Sequence, residues 1–120
     1  MRVLGDLESE IMEIIWQQKA PIAVRDVTEK LQEKREIAYT TVMTVMGRLV
    51  EKGILTRKLH GISYLYETTV TRDKFIANTV HHVFTSTVSA LGEASAAYFI
   101  KEIQKLSPKK RKELLGILNE

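Results

Sequence analysis

One stretch constrains this chain more than any other: Ala38-Tyr39-Thr40-Thr41-Val42-Met43-Thr44-Val45-Met46-Gly47-Arg48-Leu49-Val50-Glu51-Lys52-Gly53. Wound as a helix at about 100° per residue, it sets Val42, Val45, Met46 and Leu49 on one side, with Ala38 extending that stripe by a turn. The other side collects Thr40, Thr44, Gly47, Arg48 and Glu51, with Thr41 at its edge. The first side is an ordinary core-facing stripe. The second is unusual, because surface helices normally carry long charged residues there. Small hydroxyls, a glycine and one arginine can press against another smooth surface with few side chains to immobilise. Threonine offers a methyl and a hydroxyl to base edges, and arginine can fork onto guanine or phosphate. Gly53 follows where a left-handed residue commonly ends a helix. Two readings stand for the segment alone: a DNA recognition helix, or a solvated helix of modest propensity.

The flanks decide between them. A first helix is expected from about Leu4–Asp6 towards Gln18, with Leu7, Ile11, Ile14 and Ile15 at helical spacing and Trp16 near the same side. Glu8, Glu10 and Glu13 decorate its start, where the helix dipole favours anions. Lys19-Ala20-Pro21 should stop it. Ile22-Ala23-Val24 is long enough only for a short edge strand or an extended lead-in. A second helix over about Val24–Lys34 turns Val24, Val27 and Leu31 inward, and Lys34-Arg35-Glu36-Ile37 links it to the special helix. Helix, short turn, helix is the helix-turn-helix pattern. After Gly53 the period changes to two: Ile54, Thr56 and Lys58 alternate with Leu55, Arg57 and Leu59. A turn at His60-Gly61 and the strand-forming run Ser63–Thr68 then complete a β-hairpin. A hairpin placed straight after a helix-turn-helix is a wing.

Charge follows the same division. Residues 1–33 carry four basic residues (Arg2, Lys19, Arg25, Lys30) against seven acids, whereas residues 34–60 carry six (Lys34, Arg35, Arg48, Lys52, Arg57, Lys58) against Glu36 and Glu51. The overall charge of +3 conceals this local excess around the special helix. It is the footprint expected of a nucleic-acid surface.

From Thr71 the pattern is helical again. Phe75, Ile76, Val80, Val83, Phe84, Val88 and Leu91 form a broad stripe, and Gly92–Ala97 is a small-residue stretch, either a hinge or a close helix approach. Phe99, Ile100, Ile103 and Leu106 follow; Ser107-Pro108 is a capped helix start leading to Leu114, Leu115, Ile117 and Leu118. About fifty residues in two or three helices bury too little surface to be stable alone. Residues 71–120 are therefore expected to be a dimerisation module beside a DNA-binding domain over 1–70, with Phe75, Val83, Phe84, Phe99, Ile103, Leu114 and Leu118 as interface candidates. Packing back onto the first half is the alternative. The fold class is mainly α with one small hairpin.

Composition excludes much else. No apolar run approaches the roughly 20 residues needed to cross a bilayer. The start Met1-Arg2-Val3-Leu4-Gly5-Asp6 does not read as a signal peptide, so a cytoplasmic location is expected. There is no cysteine, hence no disulfide and no thiolate metal site. The histidines are His60, His81 and His82, and the last two, adjacent on a helix, diverge by about 100°. No glycine-rich phosphate loop or hydrolase motif is present. Neither an active site nor a cofactor is expected.

The whole chain resembles the BlaI/MecI penicillinase-repressor family, which also includes the copper-responsive CopY repressors. The likeness is densest in Leu4-Gly5-Asp6-Leu7-Glu8, Ile14-Ile15-Trp16, Val24-Arg25-Asp26-Val27, Ala38–Val45, Arg48-Leu49 and Glu51-Lys52-Gly53. The resemblance implies a homodimeric repressor of a palindromic operator in double-stranded DNA. It also implies release of resistance genes when a membrane sensor metalloprotease triggers cleavage in the dimerisation domain. The C-terminal cysteines of the CopY branch are missing, which removes that metal switch. Staphylococcal-type repressors are cut at an Asn-Phe bond. The matching place here is Tyr98-Phe99, where Phe is kept and Asn is not.

The expected interface is accordingly Tyr39, Thr40 and Thr41 entering the major groove, Thr44 and Arg48 further along, and Lys58 and His60 of the wing on phosphate. Tyr64 and Tyr66 are expected to pack within the hairpin and Trp16 in the core. Two linked modules would read half-sites about 34 Å apart or a multiple of that. The competing reading is a winged helix whose threonine face docks onto another protein without specific DNA binding.

Overall fold

The computed structural model describes residues 4–18 and 20–119. Met1–Val3 and Lys19, the latter part of the expected helix stop, lie outside the described residues. The elements follow in the order α1 (Asp6–Gln17), α2 (Val24–Gln32), α3 (Tyr39–Glu51), β1 (Leu55–His60), β2 (Ser63–Thr68), α4 (Arg72–Leu91), α5 (Ala94–Gln104) and α6 (Pro108–Leu118). This is a winged helix-turn-helix followed by three helices. None of the described helices is long and apolar enough to cross a membrane.

The chain divides into two compact units, one extending to Ala77 and the other starting at Asn78. The division therefore falls inside α4, later than the 70/71 boundary expected from the sequence. Residues 72–77 go with the first unit for a visible reason. Phe75 is buried, its ring 5.4 Å from that of Trp16, and Arg72 Nε donates to Glu13 Oε1 at 2.8 Å. The Trp16 indole N–H donates to the Val70 carbonyl at 3.1 Å, so this half-buried ring has both an apolar and a polar partner.

In the first unit, one core forms where α1, α2 and α3 meet the hairpin. Ile11, Met12 and Ile15 of α1 pack with Val24, Val27 and Leu31 of α2, and with Val42, Val45, Met46 and Leu49 of α3. The stripe read from the 3,4 spacing of α3 is the buried one, at 8% exposure or less throughout. Leu55 and Tyr66 close the core from the hairpin. Ile22 joins as a third strand-like residue, exchanging both backbone hydrogen bonds with Tyr66 (2.9 and 3.0 Å). The segment before α2 is thus an extended lead-in with one bridge.

Two helix ends differ from expectation. Ala38 is not part of the apolar stripe: it is the exposed, extended N-cap of α3 (φ −84°, ψ 144°), and its carbonyl accepts from Thr41 and Val42 N–H. Helix α2 stops at Gln32 rather than Lys34, because residues 33–38 supply the turn, with the Gln32 side chain donating to the Ile37 carbonyl. After α3 the chain reverses at Gly53 (φ 78°), a conformation costly for any residue with a Cβ. The hairpin register pairs His60 with Ser63, leaving Gly61-Ile62 as a two-residue loop. A positive φ at Gly61 alone (67°) makes this a II′ turn, whose twist suits a hairpin.

In the second unit, α4 and α5 meet at the small-residue stretch, and the Phe84 and Phe99 rings meet across that corner, tilted by 54° with centroids 5.2 Å apart. Helix α6 begins as read: Ser107 Oγ accepts from Lys110 N–H and Pro108 takes the first position. Burial here is slight. Ser95 is the one buried residue of α5, and α6 has none.

Candidate nucleic-acid interface

Helix α3 presents the face that the sequence singled out. Thr40, Thr41, Thr44 and Arg48 are exposed and line a shallow depression together with Val45. Their roles differ in detail. Thr44 Oγ1 donates to the Thr40 carbonyl at 2.9 Å, so its hydroxyl keeps only its acceptor lone pairs and its methyl for an outside partner. The side chains of Thr41 and Arg48 have no partner among the described residues, which leaves a hydroxyl and a full guanidinium fork available. Tyr39, at the start of the helix, is 48% exposed. The first turn holds no acid and Ala38 supplies no side-chain cap, so the positive end of the helix dipole is uncompensated.

The local charge excess is smaller than the sequence suggested. Three acids of α1 reach cations distant in the chain: Glu8 to Lys52, Glu10 to Arg35 (3.1 Å) and Glu13 to Arg72. Lys52 and Arg35 are therefore neutralised on the α1 side. Arg72 is held protonated above the ordinary arginine range by its hydrogen bond to Glu13. The Glu8 carboxylate also accepts from Gly5 N–H at the start of α1, the one half of a capping box that a glycine N-cap can make. Among the described residues from 20 to 70, the cations outside these ion pairs are Arg25, Lys30, Lys34, Arg48, Arg57 and Lys58.

The wing separates its own cations. Strand alternation puts Leu55, Arg57 and Leu59 on one face with Tyr64, Tyr66 and Thr68, the face that packs on the core at Leu55 and Tyr66. Thr56, Lys58 and His60 share the opposite face with Ser63, Leu65 and Glu67. The two wing residues named from sequence are thus both on the outer face. Arg57, counted in the charge excess but outside the expected interface, lies on the inner face. Its guanidinium carbon lies 4.5 Å from the Tyr64 ring centroid, and its Nη1 donates to the Tyr66 hydroxyl at 3.5 Å, which holds it above the ordinary arginine range. Tyr66 is buried as expected, but Tyr64 is 44% exposed and lines a cleft of about 440 Å³. That cleft is bounded also by Arg25, Tyr39, Met43, Ile62 and Ser63. The period-two pattern could have grouped Arg57 with the two tyrosines. The cleft itself could not be read, since it joins residues from α2, α3 and the wing.

The interface candidates of the second unit are dispersed. Ile103, Leu114 and Leu118 are exposed at 55%, 39% and 78%, and Phe84 and Phe99 pack ring against ring in a tilted pair. Val83 is half-buried. Phe75 stands apart, enclosed in the first unit beside Trp16 rather than displayed. Tyr98 is exposed, Phe99 is half-buried, and the bond between them lies in the middle of α5. Among the described residues, no group of three or more His, Asp or Glu is placed to hold a metal.

Comparison with known proteins agrees with this geometry. The penicillinase repressor family model matches residues 4–120. The chain belongs to the penicillinase repressor family. It is a DNA-binding transcriptional repressor, and the family is not one of enzymes. It is 33% identical over 101 residues to the transcriptional regulator BlaI of Mycobacterium tuberculosis, covering 83% of this chain and 73% of that protein. It is 29% identical over 117 residues to the methicillin resistance regulatory protein MecI of Mammaliicoccus sciuri, covering 98% and 94%. A solution structure of Bacillus licheniformis BlaI, in its monomeric form in complex with the blaP half-operator, aligns with a TM-score of 0.50 at 25% identity, over 59% of this chain and 85% of that one.

Proposed function

We propose that this repressor acts as a homodimer on an inverted repeat, each copy placing α3 in the major groove of one half-site. The observation that carries the reading is the outer face of α3. It is exposed, has no acid in its first turn, and carries hydroxyls and one unpaired guanidinium where a solvated helix would carry lysine and glutamate. In this reading Tyr39, Thr40 and Thr41 meet the groove edge and bases. Thr44 accepts from an amino group or packs on a thymine methyl, and Arg48 binds guanine or phosphate. Lys58 and His60, on the outer face of the wing, would bind phosphate without sequence preference. A half-operator bound to monomeric BlaI supports one module per half-site.

The apolar side chains left exposed on α5 and α6 support association through the second unit. Two modules so linked would read half-sites about 34 Å apart or a multiple of that. Derepression would follow from loss of the dimer. Proteolysis at Tyr98-Phe99 would first have to open α5 locally; a membrane sensor metalloprotease is the partner that the resemblance carries for that step.

The test is to recover genomic fragments bound by the purified chain at near-physiological salt. A shared inverted repeat beside resistance or sensor genes is expected. Weak binding indifferent to sequence would overturn the operator reading in favour of protein recognition.

A further inference from the structure

We propose that Arg57 is the residue with which the wing grips the DNA backbone, positioned by Tyr64 and Tyr66, and that the cleft lined by those two tyrosines receives one sugar–phosphate strand. This rests on the DNA-binding reading above and names contacts within it. An exposed arginine normally loses much rotamer freedom when it binds. Arg57 is already held, over the Tyr64 ring on one side and by the Tyr66 hydroxyl at one nitrogen. The hydrogen bond uses one of five guanidinium donors, so a fork remains for phosphate. No ion pair with a carboxylate occupies it among the described residues. Lys58 and His60, on the outer face, have no such support.

The cleft beside Tyr64 has the chemistry of a nucleic-acid strand rather than of a small apolar ligand. Arg25 stands at its wall with no ion-pair partner among the described residues, and Tyr39 and Ser63 add hydroxyls. Met43, Ile62 and Tyr64 offer apolar surface, and Ile62 is fully exposed at the tip of the hairpin. One cation beside hydroxyl and apolar groups suits a phosphate flanked by deoxyribose. The cleft is also continuous with α3 through Tyr39 and Met43, so a helix in the groove would bring the groove's bordering strand to it.

The experiment uses the full chain and a duplex selected by it from a random pool. Single methylphosphonate linkages, which remove one phosphate charge, are scanned along a half-site. One position should cost the wild-type chain about tenfold in affinity. That cost should vanish in Arg57→Ala, whose log–log salt slope should fall by about 0.9. Lys58→Ala should keep the methylphosphonate profile. Tyr64→Leu should weaken binding several-fold while Tyr64→Phe restores it, a rescue that separates ring stacking from general folding. Arg57→Ala leaving both slope and profile unchanged, with the chain folded, would overturn the proposal. If the wild-type chain selects no duplex, the DNA reading itself falls, and this proposal with it.

Discussion

The two units of this chain use their apolar residues in opposite ways. In the first, α1, α2, α3 and the hairpin share one core, and residues such as Met12, Val27, Val42 and Leu49 have no exposed surface. In the second, Leu91, Tyr98, Leu115 and Leu118 are each at least 60% exposed, and α6 buries nothing. Hydrophobic burial is the dominant favourable term in folding, at about 25 cal/mol per Å². The first unit gains it within itself. The second leaves much apolar surface exposed, and the proposed association would bury it. The proposed DNA reading and assembly thus rest on different physics: a packed frame that displays polar groups, and a little-buried one that displays apolar groups.

The largest test of that contrast is Leu49→Ala. It removes a fully buried side chain from the shared core and should cost about 2–5 kcal/mol, read by urea unfolding, with operator binding lost as the unit melts. Next is Ile103→Asp with Leu118→Asp, charges placed on the exposed apolar surface of the second unit. The first unit should melt as before, while sedimentation shows a monomer and full-operator affinity falls about 10²-fold or more, through lost linkage of the half-sites. Persistence of a dimer would break the comparison at its centre. A chain ended at Ala77 should likewise remain folded by circular dichroism and bind one half-site only.

Smaller effects sharpen the first half of the contrast. Arg48→Ala should weaken operator binding by about 1–3 kcal/mol with an unchanged melting temperature; unaltered affinity would remove Arg48 from the interface. Gly47→Ala should raise stability by about 0.5–1 kcal/mol, since a Cβ at that helical position meets nothing within 4 Å. Glu10→Gln, which breaks an exposed ion pair with Arg35, should change stability by about 1 kcal/mol or less.

Much of this was legible before any coordinates. Val42, Val45, Met46 and Leu49 fall on one side of α3 by spacing alone, and burial follows that side. The order of helix, turn, helix and hairpin defined a winged helix, and Ser107-Pro108 marked the start of α6. Spacing alone sets Ala38 in the stripe, because periodicity does not register that a helix needs a non-helical N-cap. Phe75 continues an unbroken stripe on α4, so spacing alone groups it with the assembly candidates. Only the packing of Trp16 against it places it in the first unit.

What local sequence determined, then, is whatever depends on neighbours three or four residues apart, or two in the hairpin: element types, their order, and the polar face of α3. Tertiary structure decided which charges remain outside ion pairs. Glu8 neutralises Lys52 from 44 positions away, and Glu10 neutralises Arg35 from 25. It also decided that Arg57, rather than Lys58 or His60, is the wing cation seated on a tyrosine ring. Periodicity reports which way a side chain points from its own element; it carries no information on what another element brings to meet it.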